Sequence, residues 1–562
     1  MSLMGSLYVG NSGLRTSQNA LHTTAHNMSN ADTTGYVRQQ VLQGTLFYHT
    51  IAYNSKAVSN QQVGMGVEYS KVKHVRDYFL DLTYRKEAGR QSFYEVSATA
   101  LSEVENLLGE LNGESFHEIL AGENGLWAAI QELSKDPSSA VTQGLFVQKC
   151  AQFLERAQTV YDGLCNYQDN LNDQVIQKVD QINDYADELL ELNKRIVKIE
   201  IGDQEEANDL RDRRDFILDE LAKLGKISYD EDVFGNVSVQ FESVDLVKVD
   251  KVYEMGAFED PITGFYTPFW VSHARYIEKP DGTREYTAES VENAKVFDLG
   301  ITISADLNTD IGALKSLLLA RGDHRADYRD VLPANYSPDI SQSVIMNVQA
   351  EFDQLIHSIA TSINGVLHDA AVAAEAEWPG KGYLCNEDGS PIQVFQKKTS
   401  DGYTQDANGD WVFNAEDVTA YETLYSVDNL VINEELLQVP AMLGFIMPED
   451  SVDYTTIEKL KTAFTQENIT LNPNIQKKTN FINYYDDLVS QVANTGYIFN
   501  EILSNQETTV NATFSAREQV IGVSSDEELN HMIKFQNAYN ASSRYINVVD
   551  EMLEHLIMSL AG

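Results

Sequence analysis

Two histidines, His22 and His26, stand four residues apart, a spacing that puts both imidazoles on one face of a helix and could begin a metal site. No third ligand follows nearby, so the pair reads as solvated or subunit-facing side chains. Asp406, Asn408 and Asp410 resemble part of a calcium loop, but Trp411 and Asp417 stand where that loop needs its glycine and its bidentate glutamate. A hairpin turn is the better reading. The three cysteines, Cys150, Cys165 and Cys385, show no paired spacing, so neither a disulfide framework nor a thiolate metal site is indicated and each is read as a small buried hydrophobe. No zinc-protease, nucleophile-elbow, phosphate-loop or dinucleotide-binding run occurs. The sequence therefore predicts no catalytic residue, no cofactor and no metal.

Composition narrows the class. The 562 residues carry 85 acidic and 41 basic side chains, a formal charge of −44, which argues against a nucleic-acid partner needing clustered Lys and Arg. A hydrophobic content of 43% with 28 tyrosines is too high for a disordered acidic chain and predicts globular cores, about three or four domains in all. Only 11 prolines interrupt the chain, which favours long helices. The first thirty residues hold a single base, Arg15, and lack the apolar core of a cleaved secretory signal. No apolar run is long enough for membrane insertion. Taken alone, these features point to the cytoplasm.

The elements that would position any function are periodic. Residues 3–30 read as a helix with a single apolar row, Leu7, Leu14, Leu21 and Met28, while Gly10, Ser17 and Thr24 between them are small or polar. Such a helix buries too little to fold alone and suits zipping against a partner. At the other end, residues 529–560 carry a matching row, Met532, Tyr539, Ile546, Leu553 and Leu560, with a more polar second row of Leu529, Gln536, Ser543, Asp550 and Ile557. Between the ends, 85–111, 115–134, 138–200 and 204–224 are helical in pattern, and the run NDLRDRRD at 208–215 suggests solvated ion pairs across turns of its own helix. The period changes to two from 226 to about 303, returns to helix over 306–321 and 340–368, breaks into turns and alternating aromatics over 378–440, and is helical again from about 455.

One string is specific. After the first helix come Asn27, Asn30, Ala31, Thr33, Gly35 and Tyr36, followed by Arg38 and Gln39; read physically this is a helix terminus, with the two asparagines able either to cap it or to bridge to another element. As a string it resembles the N-terminal motif of the flagellar rod, hook and hook-associated axial protein family. The stretch from Gly64, Gly66 and Val67 to Arg76, Asp77 and Leu80 resembles the continuation of that region, and Asp526, Glu527 and the run from Phe535 to Ser542 resemble the C-terminal motif. NDLRDRRD and the long helix before it are similar to the junction-type members rather than to hook protein. These stretches cover most of 1–240 and 480–562; segments 241–305 and 370–450 match nothing in the family, and the cysteines depart from its habit.

The resemblance implies an axial protein of the bacterial flagellum, joining hook to filament, exported by the flagellar type III apparatus and located outside the cell, which reverses the cytoplasmic reading. It implies self-association through terminal helices that are disordered in the monomer, with hook protein and hook-associated protein 3 as neighbours and a secretion chaperone for the C-terminal region. The heptads supply a physical reason: four large side chains at ~1.5–3 kcal/mol each cannot offset ~1–2 kcal/mol of backbone entropy per residue over the whole first helix. The expected architecture is mainly α with β-rich insertions: terminal coiled-coil helices 1–35 and 525–562, a helical stalk of 36–240, 306–370 and 455–524, and insertions at 241–305 and 371–454. The same ends would also suit hook or distal rod protein; an insertion that displays a ligand-binding or enzymatic module is a further reading, which clustered pocket carboxylates would support. A cytoplasmic coiled-coil scaffold is the remaining reading. Charge divides in keeping with assembling ends: residues 1–50 net +1 (Arg15, Arg38, Asp32) and residues 523–562 net −4 (two bases, six acids), leaving about −41 in the middle.

Overall fold

In a computed structural model the described residues are 3–46, 48–52, 61–109, 115–202, 206–280, 284–386, 388–406 and 411–561. The Asn408–Asp410 turn and the Asp203 break lie outside them. The chain opens with helix α1 (Leu3–Ser29), then strands β1 (Gln39–Thr45), β2 (Tyr48–Ala52), β3 (Gln61–Gly64) and β4 (Val67–His74). Helices α2 (Tyr78–Leu108), α3 (Phe116–Ala121), α4 (Leu126–Lys135), α5 (Ala140–Glu200) and α6 (Asn208–Leu224) follow. Then come β5 (Ile227–Glu231), β6 (Val237–Phe241), β7 (Val244–Lys248), β8 (Lys251–Val252), β9 (Met255–Glu259), β10 (Tyr266–Trp270), β11 (Tyr276–Glu278) and β12 (Arg284–Tyr286). Short α7 (Ala288–Glu292), α8 (Ala313–Arg321) and α9 (Pro338–Gln342) precede the long α10 (Val344–Glu377). Strands β13 (Phe395–Lys397), β14 (Tyr403–Gln405), β15 (Trp411–Phe413) and β16 (Leu430–Ile432), then α11 (Glu434–Gln438), α12 (Tyr454–Thr465), α13 (Phe481–Ile521) and α14 (Ser525–Ala561) complete the chain. The fold is mainly helical with small β insertions.

Two compact units divide these elements. The first holds 1–91, 180–255 and 505–562; the second holds 92–179 and 256–504. The first expected insertion is thus split: the four-stranded antiparallel meander β5 to β8 belongs to the first unit, and the strand pairs from β9 onward fall in the second. A second difference lies at 39–74, expected within the helical stalk. There β1 pairs antiparallel with β4, Gln39 opposite His74, and β2 with β3. Strand β1 mixes half-buried and exposed positions and is rich in polar residues, so no strong apolar period marks it. The strands on either side of the Asp406–Asp410 run, β14 and β15, pair antiparallel, Gln405 opposite Trp411.

In the first unit α1 and α14 pack antiparallel. A Cβ added at Gly10 would lie 2.7 Å from Ile546 Cγ1, and one at Gly13 would lie 2.8 Å from Ser542 Oγ. The seam on α1 is therefore the small-residue row, Ser6, Gly10, Gly13, Ser17, Ala20, Thr24 and Asn27, most of it buried, and not the bulky row. Leu7, Leu14 and Leu21 are only half-buried and Met28 is exposed. The reason is steric: glycine and serine let the backbones approach where leucine would hold them apart. On α14 the row Met532, Tyr539, Ile546 and Leu553 does face the seam half-buried, with Leu560 exposed beyond it. Its companion row is Glu528, Phe535, Ser542 and Val549, one residue earlier than the expected one.

The second unit has a continuous core along α10. Phe116 packs its ring 5.0 Å from Phe352 and 4.8 Å from Tyr485, and Phe153 completes the cluster at 5.4 Å. Two carboxylates on α10 are buried with it. Glu351 accepts from Asn472 and Gln491 at 2.8 and 2.9 Å, and Asp353 accepts from the Val427 and Tyr328 amides at 2.6 and 2.9 Å. Burial pushes both up to about 7. His324, bonded to Asp323 and Asp330 at 2.7 and 3.2 Å, is raised to about 10. All three hold a proton more tightly folded than unfolded, so their contribution is complete at low pH and is lost as pH rises through about 7 and then 10. The melting temperature should fall steadily from about pH 6 to about pH 9. A flat or rising calorimetric profile over that range would contradict the assignment.

A leucine at position 10 provides a second check. Gly10→Leu drives a side chain into Ile546, and overpacking of this kind costs ~1–3 kcal/mol. Leu14→Ala, on the half-buried row, should cost less, a difference readable from hydrogen exchange across α1 and α14.

Candidate functional site: the joint beneath the terminal helices

The first helix ends in a polar joint built from the sequence motif. Asn27 is 1% exposed and fully bonded: its Oδ1 accepts from Tyr36 Oη at 2.7 Å and from the Gln39 amide at 3.0 Å, while Nδ2 donates to the Gln39 carbonyl at 2.9 Å. The side chain thus bridges α1 to the first strand. Asn30 does the other job, donating from its amide and its Nδ2 to the His26 carbonyl and accepting from Thr33 Oγ1, which terminates the helix. Gly35 turns the chain at φ +80°, a conformation that favours glycine, against the Phe216 ring.

The chain leaving this turn is clamped from two sides. The Val37 amide donates to Asp212 Oδ2 at 3.1 Å, and Arg38 forms ion pairs with Glu528 at 2.9 Å and Glu527 at 3.1 Å at the start of α14. Arg38 also donates its amide to the Ile521 carbonyl. Asp526 is exposed in the first turn of α14. Nearby, Gly66 packs directly on α1 at Ser12, whose Oγ accepts from the Val67 amide at 3.2 Å.

NDLRDRRD is the wall behind the clamp, and its pairs are not solvated ones along its own helix. Asp215 meets Arg76 and Arg85, Asp219 meets Arg85 at 2.6 Å and Arg517 at 2.7 Å, and Asp81 meets Arg76 and Arg517 at 3.0 Å. Arg211 bridges Glu200 and Glu231 at 2.7 Å each, and buried Arg214 donates to the Gly235 carbonyl. Arg213 with Glu188 and Asp209 with His26 remain at the surface. Alternating charge on a helix face is equally compatible with a solvated or a buried network; the partners that bury the acids, Arg76, Arg85 and Arg517, lie before and within α2 and in α13, far away in sequence, so spacing alone could not show burial. Arg76, Arg85, Arg517, Arg38 and Glu528 were accordingly missed, although Arg38 and Arg15 are the sole bases in the first 50 residues.

One buried couple stands apart. His74 Nε2 and Asp212 Oδ1 face each other at 3.5 Å, and neither atom has another hydrogen-bond partner. Burial pushes Asp212 up to about 7, and burial with neighbouring Arg76 pushes His74 down to about 4. Between those values the folded couple keeps its proton on the acid and the unfolded chain keeps it on the imidazole, so the count is equal and the joint has almost no pH slope there. Among the described residues no group of three or more His, Cys, Asp or Glu is placed to hold a metal. His22 is exposed, and His26 lies 3.4 Å from Asp209. What the arrangement does is hold: it fixes a weakly packed helix pair to a rigid charged wall.

Comparison with known proteins agrees with this layout at each end and in the middle. Residues 7–36 match the family described as flagella basal body rod protein, residues 101–380 the flagellar hook-associated protein FlgK helical domain, and residues 520–559 the C-terminal region of the flagellar basal body rod FlgEFG proteins. Flagellar hook-associated protein 1 of Bacillus subtilis (strain 168) is 26% identical over 551 residues, covering 97% of this chain and 96% of the relative. That of Escherichia coli (strain K12) is 21% identical, covering 97% and 98%. The chain belongs to the flagellar hook-associated protein 1 family. It is a structural component of the bacterial flagellum. Its fold is also that of the flagellar hook junction protein FlgK from Burkholderia pseudomallei, with a TM-score of 0.52 at 11% identity over 78% of this chain and 99% of that one. In the family's terms, the joint is where the rod-type ends meet the helical domain's NDLRDRRD segment. No helix among the described residues is long and apolar enough to cross a membrane.

Two substitutions separate structure from decoration at this joint. Arg38→Met strands Glu528, whose side chain is 2% exposed, and should cost about 3 kcal/mol; Glu527→Gln, at a side chain 61% exposed, should cost under about 1 kcal/mol. Asp212→Asn keeps an acceptor for Val37 but leaves His74 uncompensated, so the variant should lose stability as pH falls from about 6.5 to about 4 where the native protein does not. Equal acid profiles for both proteins would show that the couple is not shared.

Proposed function

We propose that the protein is the axial adaptor between hook and filament, exported by the flagellar type III apparatus, working outside the cell and catalysing no reaction. The observation that supports this reading is the apolar surface left on the paired terminal helices. Met4, Tyr8, Leu529, Ile533, Val548, Met552, Ile557, Met558 and Leu560 all stand exposed on α1 and α14. Repeated exposure of large apolar side chains along one helix pair suits an interaction surface, and copies of this chain, hook protein and hook-associated protein 3 are the partners it would meet. A secretion chaperone covering the C-terminal region would shield the same residues before export. On this reading the bulky α1 row, Leu7, Leu14 and Leu21 with Met28, contributes to subunit contacts beside the small-residue seam, and the terminal helices become ordered as neighbours add burial.

A tagged chain localised on isolated hook–basal bodies, with filaments sheared away, should label the distal end of the hook. Label along the whole hook, or none at its tip, would favour a hook or rod role instead. Ile546→Asp places a charge where the two helices must desolvate, and should abolish filament attachment while the second unit stays folded by circular dichroism and calorimetry. Filaments of native length and number on that variant would contradict the role given to the helices.

A further inference from the structure

The second unit contains a cavity of about 420 Å³ lined by Thr267, Pro268, Phe297, Leu299, Leu318, Leu319, Arg321, Asp323 and Asp339 among others. Its floor is unusual in electrostatic terms. Arg321 is 2% exposed, yet among the described residues no carboxylate lies within ion-pairing distance of it. Its Nε donates to the Gly322 carbonyl at 2.9 Å and its Nη1 to Asn172 Oδ1 and the Tyr266 carbonyl, while the guanidinium lies 4.8 Å from the Phe265 ring. The Nη2 amino group has no hydrogen-bond partner among the described residues. Burial holds this guanidinium down at about 10.

At the mouth the situation is reversed. Asp339 has neither a hydrogen-bond nor an ion-pair partner among the described residues, and burial together with Asp323 and Asp298 raises it. Asp298 and Asp339 converge on Gly300: a Cβ there would lie 3.4 and 3.3 Å from their carboxylate oxygens. The other charges facing the mouth are occupied, Lys295 with Glu292 and Asp323 with His324. These acids do not form a metal cluster. Phe297, Leu299, Leu318 and Leu319 add apolar lining beside these polar groups.

A buried cation and a carboxylate that both lack an ion-pair partner among the described residues, lining one cavity together with apolar side chains, describe the complement of a dipolar molecule. We infer that this cavity binds a small zwitterion of the amino-acid class, its carboxylate on Arg321 Nη2, its ammonium on Asp339 and its apolar side chain against Phe297 and the leucines. A plain anion is repelled by the acidic mouth, and a plain cation leaves Arg321 uncompensated. The volume accommodates a free amino acid or a dipeptide.

Three matched probes test this on the full chain by isothermal titration: L-leucine, 4-methylpentanoate, which lacks only the amine, and isoamylamine, which lacks only the carboxylate. L-leucine, or the dipeptide Gly-Leu, should bind at millimolar concentrations or below, and each half-probe should bind at least about ten-fold more weakly. Arg321 also holds Asn172 and Tyr266, so its loss would disturb the fold; Asp339→Asn instead removes the ammonium partner and should weaken L-leucine about ten-fold while leaving 4-methylpentanoate no weaker. Failure of both L-leucine and Gly-Leu at about 10 mM, or binding of 4-methylpentanoate as tight as that of L-leucine, would overturn the assignment.

Discussion

Close approach of α1 to α14 is the constraint on which the first unit depends. Glycines at 10 and 13 bring the backbones near enough for Ile546 and Ser542 to fill the space over them, and this fixes which faces point inward. With the small face turned in, large apolar side chains on both helices are left to the outside. A pair built this way buries little per residue and has little cohesion of its own. Its stability must come from somewhere else, and the joint below it is the available source: Asn27 ties the helix end to the first strand, Arg38 ties that strand to the start of α14, and Asp212 ties both to α6.

That joint is electrostatic because of what surrounds it. Asp81, Asp215 and Asp219 alternate with Arg76, Arg85 and Arg517, so each buried charge meets two of opposite sign. Apolar packing would hold the helices with less regard for register, whereas a network of paired buried charges penalises arrangements that break its pairs. For a component of a flagellum, a fixed angle where the terminal pair leaves the body is a reasonable use of such a network. The overall charge of −44 takes on a different meaning in this light: several of its acids are buried partners of arginine, not solvent-facing repulsion.

How much of this was legible in the sequence depends on the range of the interaction. Periodicity located both terminal helices, because Leu7 to Met28 and Met532 to Leu560 repeat every seven residues. It misjudged the face of α1, since a row of Leu draws the eye while the row that permits contact is made of Gly and Ser. The motif residues Asn27, Gly35 and Tyr36 were visible as a string, but the bridge from Asn27 to Gln39 needs a turn and a strand that alternation did not mark. The charged run at 208–215 reads as surface from its spacing, because the partners that bury Asp212 and Asp215, at Val37, Arg76 and Arg85, lie more than a hundred residues away. The cavity over Arg321 left no trace in the sequence at all, being assembled from four separated segments of the second unit.

The seam itself is open to direct test. A cysteine placed at Gly13 would have its Cβ 3.7 Å from that of residue 542, within the span of a disulfide. In a Gly13→Cys, Ser542→Cys double variant, oxidation of isolated flagella should yield a cross-link within each chain, seen as a faster-migrating monomer on non-reducing gels. Cross-links between chains, or none at all, would contradict a terminal pair that closes on its small-residue face and turns its bulky faces to its neighbours.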